Sequence, residues 1–144
     1  MNTTVISQLI GKTVSDITAV VTQGYIGNDT HTAGCKIKTT SVYSICTGTV
    51  LDVSRDPYDN TWCVTVENNS QRWVRYCQLS DIEVHAGQHL GQNDLIGSAD
   101  KGVMRFEYCT TTKSQFPVRY FSRQMYKHDP TPILFGMIWL EEVY

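Results

Sequence analysis

Two runs of alternating side chains, Trp62-Cys63-Val64-Thr65-Val66-Glu67 and Gln71-Arg72-Trp73-Val74-Arg75-Tyr76, are separated only by Asn68-Asn69-Ser70. A side-chain period of two belongs to a strand with two unlike faces. A short Asn/Ser cluster between two such runs makes a turn, so the pair reads as a β-hairpin. Arg55-Asp56-Pro57-Tyr58-Asp59-Asn60 forms the loop before it, with Pro57 and Asn60 as breakers. Leu95-Ile96-Gly97 and Val103 to Cys109 supply two more strands around a turn at Asp100-Lys101-Gly102. Strands that follow one another without regular helical crossovers exclude a parallel doubly wound sheet. The expected fold is mainly β, an antiparallel sheet domain with few helices.

At 144 residues the chain makes one domain, long enough to bury about two-thirds of its unfolded surface. The formal charge of -2 gives no basic field, which argues against nucleic acid as a partner. Only 18% of residues are charged, in keeping with a β-rich domain whose outer faces are neutral and polar. Residues 1–23 place Ile6, Ile10, Val14, Ile17 and Val21 at helical spacings, yet their β-branched content suits strands equally. The start, Met1 to Ser7, has no basic region, and its apolar stretch is broken by Gln8, Gly11 and Lys12. Neither a signal peptide nor a membrane span is expected there. Phe116, Val118, Tyr120, Phe121 and Tyr126 form an aromatic-rich segment whose expected role is core filling, the alternative being an exposed surface for a glycan or a protein partner. Met137-Ile138-Trp139-Leu140 is an apolar tail that needs cover, from its own domain or from a neighbouring subunit.

Five cysteines, Cys35, Cys46, Cys63, Cys77 and Cys109, contain no Cys-x-x-Cys pair. That excludes zinc-ribbon and thioredoxin spacings, and the odd count favours buried free thiols over a disulfide framework. His85 and His89 are four apart but flank Gly87 in a turn-and-strand segment, so a helical metal site is not expected, and both read as solvated, as does His128. No phosphate loop, nucleophile elbow, calcium loop or glycosidase carboxylate pair can be argued.

Val84, Gly87, Gln88, Leu90, Gly91, Leu95, Ile96 and Gly97 spell Val-x-x-Gly-Gln-x-Leu-Gly-x-x-x-Leu-Ile-Gly, and Val103-Met104-Arg105-Phe106-Glu107 follows. Upstream stand Tyr76-Cys77-Gln78-Leu79 and Val42-Tyr43-Ser44-Ile45-Cys46-Thr47-Gly48-Thr49-Val50, and downstream Asp129-Pro130-Thr131-Pro132-Ile133-Leu134. This ordered set, from about Tyr25 to about Leu134, resembles the lysostaphin-type (LytM-like) peptidoglycan endopeptidases. The resemblance implies the antiparallel β fold of those peptidases over residues 24–134, an N-terminal extension over 1–23 and a C-terminal tail over 135–144.

In that family the second segment reads His-Leu-His-Phe-Glu, the first His assisting catalysis and the second ligating zinc. Val103 and Arg105 stand in those places here, and Gln78 stands where Tyr-x-His-Leu supplies a further catalytic His. The first half of the metal site, His-x-Gly-x-Asp, matches His31-Thr32-Ala33-Gly34-Cys35-Lys36-Ile37 in two registers. Anchored on Gly34, the ligand places hold Thr32 and Lys36, and a protonated Lys cannot bind zinc. Anchored on His31, they hold His31 and Cys35, both legitimate ligands. The Gly34 register is preferred because Lys36-Ile37 then falls on the family's Asp-Ile step. Residues 103, 105 and 107 of a strand share one face, so Arg105 is expected to replace the metal by a covalent cation beside Glu107. The alternative is an ordinary surface pair of little energetic weight.

The expectation is a vestigial pocket of His31, Cys35, Gln78, Val103, Arg105 and Glu107, with no catalytic residue, no metal and no cofactor. The chain then reads as a non-catalytic structural or binding module, in a bacteriophage tail or other virion part, with virion or assembly proteins and peptidoglycan as its partner classes. The missing export signal motivates the virion; otherwise the chain stays in the cytoplasm as synthesised. The alternatives are a divergent zinc metallopeptidase acting on peptidoglycan peptides, using His31 and Cys35, and a cell-wall hydrolase activator.

Overall fold

The computed structural model of the chain describes residues 2–25, 33–120, 123–137 and 140. It opens with α1 (Thr4–Ile10), where Val5/Leu9 and Ile6/Ile10 form two adjacent i, i+4 rows that are buried together. Gly11 ends the helix with φ 70, and its N–H turns back to the Ser7 and Gln8 carbonyls. A short 3-10 turn, Ile17–Ala19, is capped by the Asp16 side chain, which accepts from Thr18 N.

Eleven strands follow: β1 (Val21–Gln23), β2 (Cys35–Lys38), β3 (Ser41–Tyr43), β4 (Gly48–Arg55), β5 (Trp62–Asn69), β6 (Arg72–Ile82), β7 (His89–Leu90), β8 (Leu95–Ala99), β9 (Val103–Thr110), β10 (Pro117–Tyr120) and β11 (Arg123–His128). All join one antiparallel network whose main path runs β1-β2-β9-β6-β5-β4-β7. The expected hairpin is β5–β6 and the expected antiparallel β class is the one observed. A last short helix, α2 (Thr131–Leu134), begins after Pro130.

β6 is the axis of the sheet. Its first half pairs β9 from Arg72↔Thr110 to Cys77↔Arg105, and its second half pairs β8 from Leu79↔Ala99 to Ile82↔Gly97. The change of partner falls at Gln78, which adopts φ 64. An extra residue in a left-handed conformation is a bulge that bends and twists its strand.

Strict alternation then sorts the sheet into two faces. Cys35, Ile37, Val64, Val66, Val74, Tyr76, Met104, Phe106 and Tyr108 lie on one face and join the main hydrophobic cluster. α1 and the 3-10 turn cover that face with Val5, Ile6, Leu9, Ile10 and Ile17, alongside Val14, in the same cluster. The ambiguous N-terminal pattern is therefore resolved as helix, turn and edge strand, and its apolar side chains are covered by the chain's own sheet and not left for a neighbouring subunit. Phe135 and Leu140 of the tail pack on the same cluster. Phe116 is buried and meets Tyr25 edge-on at 6.3 Å, the expected core role; Phe121 lies outside the described residues.

Candidate functional site: a buried charge cluster on the second face

The second face carries Cys63, Thr65, Glu67, Trp73, Arg75, Cys77, Lys36, Arg105, Glu107 and Cys109, as the directly paired residues Thr65↔Arg75, Arg75↔Glu107, Cys77↔Arg105 and Lys36↔Arg105 require. At its centre Glu107 is completely buried. Its Oε2 accepts from Arg105 Nε at 2.7 Å, and its Oε1 accepts from Arg75 NH1 at 2.9 Å and lies 3.0 Å from Lys127 Nζ. Arg75 Nε also donates to Thr65 Oγ1 at 3.0 Å. Arg105 NH2 lies 3.6 Å from Asp56 Oδ2.

Each element delivers one of these groups for a local reason. Arg105 and Glu107 share a face because they are two apart on β9. Arg75 faces Glu107 across the β6–β9 ladder, and β11 brings Lys127 opposite Cys109. Asp56 sits in a turn held by its own hydrogen bonds: Asp56 N donates to Thr61 O, Asn60 N to Asp56 O, and Tyr58 N to Asp56 Oδ1. Asn60, at φ 62, closes that turn. A smaller apolar cluster of Trp73, Cys109 and Met125 adjoins the charges.

Burial by itself would raise the Glu107 pKa, but Arg75, Lys127 and Arg105 outweigh it and hold the carboxyl down at about 2. Glu107 is therefore ionised at neutral pH and saturated by three cations. Three cations within 3.0 Å of that carboxylate balance its charge and leave it little attraction for a metal ion.

The sequence-predicted residues divide. Val103, Arg105 and Glu107 share the second face, and Lys36 stands directly opposite Arg105. A Cβ on Gly34 would come 2.8 Å from Phe106 O and 3.1 Å from both Arg105 Cγ and Glu107 Cγ, so the strand approaches the cluster as closely as a glycine permits. Cys35 is a correction: it pairs with Phe106, points into the main core, and lies 3.8 Å by its Sγ from Thr131 Oγ1. Strand parity allows either Cys35 or Lys36 on the charged face, never both. Burial pushes the Cys35 thiol up to about 11, Thr131 opposing, so it stays protonated. Gln78 marks the bulge beside the cluster, and His31 lies outside the described residues. His85 and His89 are exposed, and His89 Nδ1 lies 3.1 Å from Thr49 Oγ1.

Sequence reasoning missed Arg75, Lys127 and Asp56. Arg75 had a signal, a charge on the same strand face as Trp73 in the middle of a hairpin, whereas Lys127 and Asp56 reach the cluster only through tertiary pairing.

Among the described residues the donor set around Glu107 does not fit zinc. A catalytic zinc takes three protein ligands and an open position, but Lys36 and Arg105 are cations and Glu107 is engaged. Among the described residues no group of three or more His, Cys, Asp or Glu side chains could hold a metal ion.

Residues 29–115 match the model of Peptidase family M23, more than half of the 144 residues. The chain belongs to that family. No curated protein matches it. Among solved structures it is similar to the antimicrobial peptidase lysostaphin from Staphylococcus simulans, with TM-score 0.60 and 17% identity over 79% of this chain and 48% of that one. It is also similar to a zinc containing peptidase from Vibrio cholerae, with TM-score 0.51 and 24% identity over 61% and 32%. A third is the catalytic domain of the prophage-encoded M23 protein EnpA from Enterococcus faecalis, with TM-score 0.54 and 17% identity over 65% and 82%. The chain thus spans about half the length of lysostaphin and a third of the Vibrio peptidase. These likenesses show the M23-peptidase fold, and within the described residues no helix is long and apolar enough to cross a membrane.

Proposed function

We propose that this chain is a non-catalytic member of family M23 that serves as a structural or binding module in a virion, most specifically a bacteriophage tail. The observation that carries this reading is the Lys36–Arg105 pairing at the two positions where the lysostaphin-type resemblance puts an Asp and a His ligand. Two cations repel a metal ion and leave no base to activate water. Val103 and Gln78, in the places of the two assisting His residues, cannot relay protons at neutral pH. One structural neighbour, EnpA, is a prophage-encoded M23 protein, which supports the virion reading.

With hydrolysis gone, what remains to the module is recognition: other virion or assembly proteins, and peptidoglycan peptides as the ligand class of the fold. The competing reading, a divergent zinc peptidase ligated by His31 and Cys35, requires Cys35 to leave the hydrophobic core and lose a proton that burial holds.

Two measurements test the proposal. Metal analysis of the purified chain after incubation with zinc should find substoichiometric metal, and peptidoglycan sacculi should release no new amino groups. About one zinc per chain, lost on His31→Ala, would overturn the non-catalytic reading. Peptide mapping of purified phage particles from the source strain should recover this chain; its presence only in the cell lysate would overturn the virion assignment.

A further inference from the structure

All five cysteines are free and buried, but they are not equivalent. Cys35 and Cys46 belong to the main core. Cys63, Cys77 and Cys109 lie on the charged face, and two of them meet. On the β5–β6 ladder Trp62 pairs with Leu79 and Val64 with Tyr76, so the single residue Cys63 faces the bulged step Cys77-Gln78. Val64 and Tyr76 point to the core, which sends Cys63 and Cys77 to the other face, where the ladder sets one against the other. Directly paired residues of an antiparallel ladder have Cα atoms about 4.5–5.5 Å apart, and a residue facing a bulged step lies close to that, near the span of a disulfide, about 4.4–6.8 Å.

We propose that Cys63 and Cys77 are a peroxide-sensitive dithiol, which closes to an intrachain disulfide across the β5–β6 bulge and reopens under thiol reductants. Cys63 is the attacking sulfur. It is 3% exposed where Cys77 is fully covered, and it is the second residue of β5, close after the turn that displays Tyr58 at 79% exposure. The neighbouring Cys77 thiol lowers the Cys63 pKa against the opposing effect of burial, with Arg75 and Arg105 helping and Glu107 resisting. Burial holds Cys77 well above its ordinary value and in the thiol form.

The chemistry balances without a metal. The Cys63 thiolate displaces hydroxide from hydrogen peroxide, forming an S–O bond as the O–O bond breaks. The Cys77 sulfur then attacks the Cys63 sulfenic acid, the S–S bond forms, and the hydroxyl leaves as water with the Cys77 proton. Two thiols are oxidised and one peroxide is reduced to two waters.

The test uses the full chain, reduced, desalted and treated with hydrogen peroxide while folded, then unfolded in urea, alkylated and digested with trypsin without reduction. Each cysteine falls in its own tryptic peptide, Cys63 in 56–72 and Cys77 in 76–101. The expected result is a fall from five alkylatable thiols to three, a single cross-link between 56–72 and 76–101, and full recovery with dithiothreitol. Cys46→Ser should keep the cross-link. Cys77→Ser should leave a Cys63 sulfenic acid that reacts with dimedone. Five alkylatable thiols after treatment, or a cross-link joining other cysteines in the folded chain, would overturn the proposal; both are read on the unsubstituted protein, so a misfolded variant cannot obscure them.

Discussion

Arg105 Nε donates to Glu107 Oε2 at 2.7 Å from two positions earlier on the same strand, with both side chains almost wholly removed from water. That pair, with Arg75 and Lys127 on the other carboxylate oxygen, makes Glu107 the centre on which the second face of the sheet closes. Taking so many charges out of water is costly, and only complete mutual pairing offsets it.

Glu107→Gln should therefore destabilise the chain far more than loss of a surface pair. The neutral amide leaves three buried cations short of a counter-charge, and removing one partner of a buried pair costs about 3–5 kcal/mol. Arg123→Ala breaks the Arg123–Glu67 contact, whose side chains are 55% and 29% exposed, and should cost no more than about 1 kcal/mol. Urea unfolding of both variants reads the difference; equal midpoints would show that the cluster does not hold the face.

Acid stability follows from the same carboxylate. Glu107 is lowered from 4.5 to about 2 on folding, so the unfolded chain takes up its proton first as pH falls. Its stabilising contribution is fully present above about pH 5 and is lost as pH falls through 4.5 toward 2, by about 3 kcal/mol in all. Melting temperatures measured from pH 6 to pH 2 should drop across that window in the parent chain. The Glu107→Gln chain should show a shallower slope, and parallel slopes would remove Glu107 as the cause.

Gly34→Ala should cost about 1–3 kcal/mol, the range for overfilling a packed site, because its Cβ would press on Phe106 O at 2.8 Å and on the Arg105 and Glu107 stems. Gly24→Ala is the control, since nothing lies within 4 Å of a Cβ there. Thermal melts of the two variants should separate clearly; a harmless Gly34→Ala would mean that β2 does not approach the cluster so closely.

Leu9→Ala should cost about 2–5 kcal/mol, since Leu9 is fully buried in the main cluster. Removal of residues 1–23 would uncover the same core face and is expected to abolish cooperative unfolding. A truncated chain that melts as sharply as the full one would return those residues to the role of a detachable extension.

The strands, the β5–β6 hairpin and the antiparallel class were legible in the sequence because a period of two is local, carried by each run of side chains without reference to its partners. The places of Gln78, Val103 and Arg105 along the ordered motifs were legible in the same way, by position. The N-terminal pattern was not, because β-branched residues at helical spacing satisfy both periods, and the choice fell to which surface α1 could cover.

By itself, then, the sequence determined which side chains share a face within each strand: Arg105 with Glu107, and Cys35 apart from Lys36. Only the tertiary structure decided which of those faces met the core, sending Cys35 inward with Phe106 and Lys36 outward with Arg105. It alone brought Arg75, Lys127 and Asp56 to Glu107 from β6, β11 and the turn before β5. The physical reason is that alternation fixes relative orientation along one strand, whereas burial, charge pairing and the pKa of Glu107 depend on neighbours that only sheet register supplies.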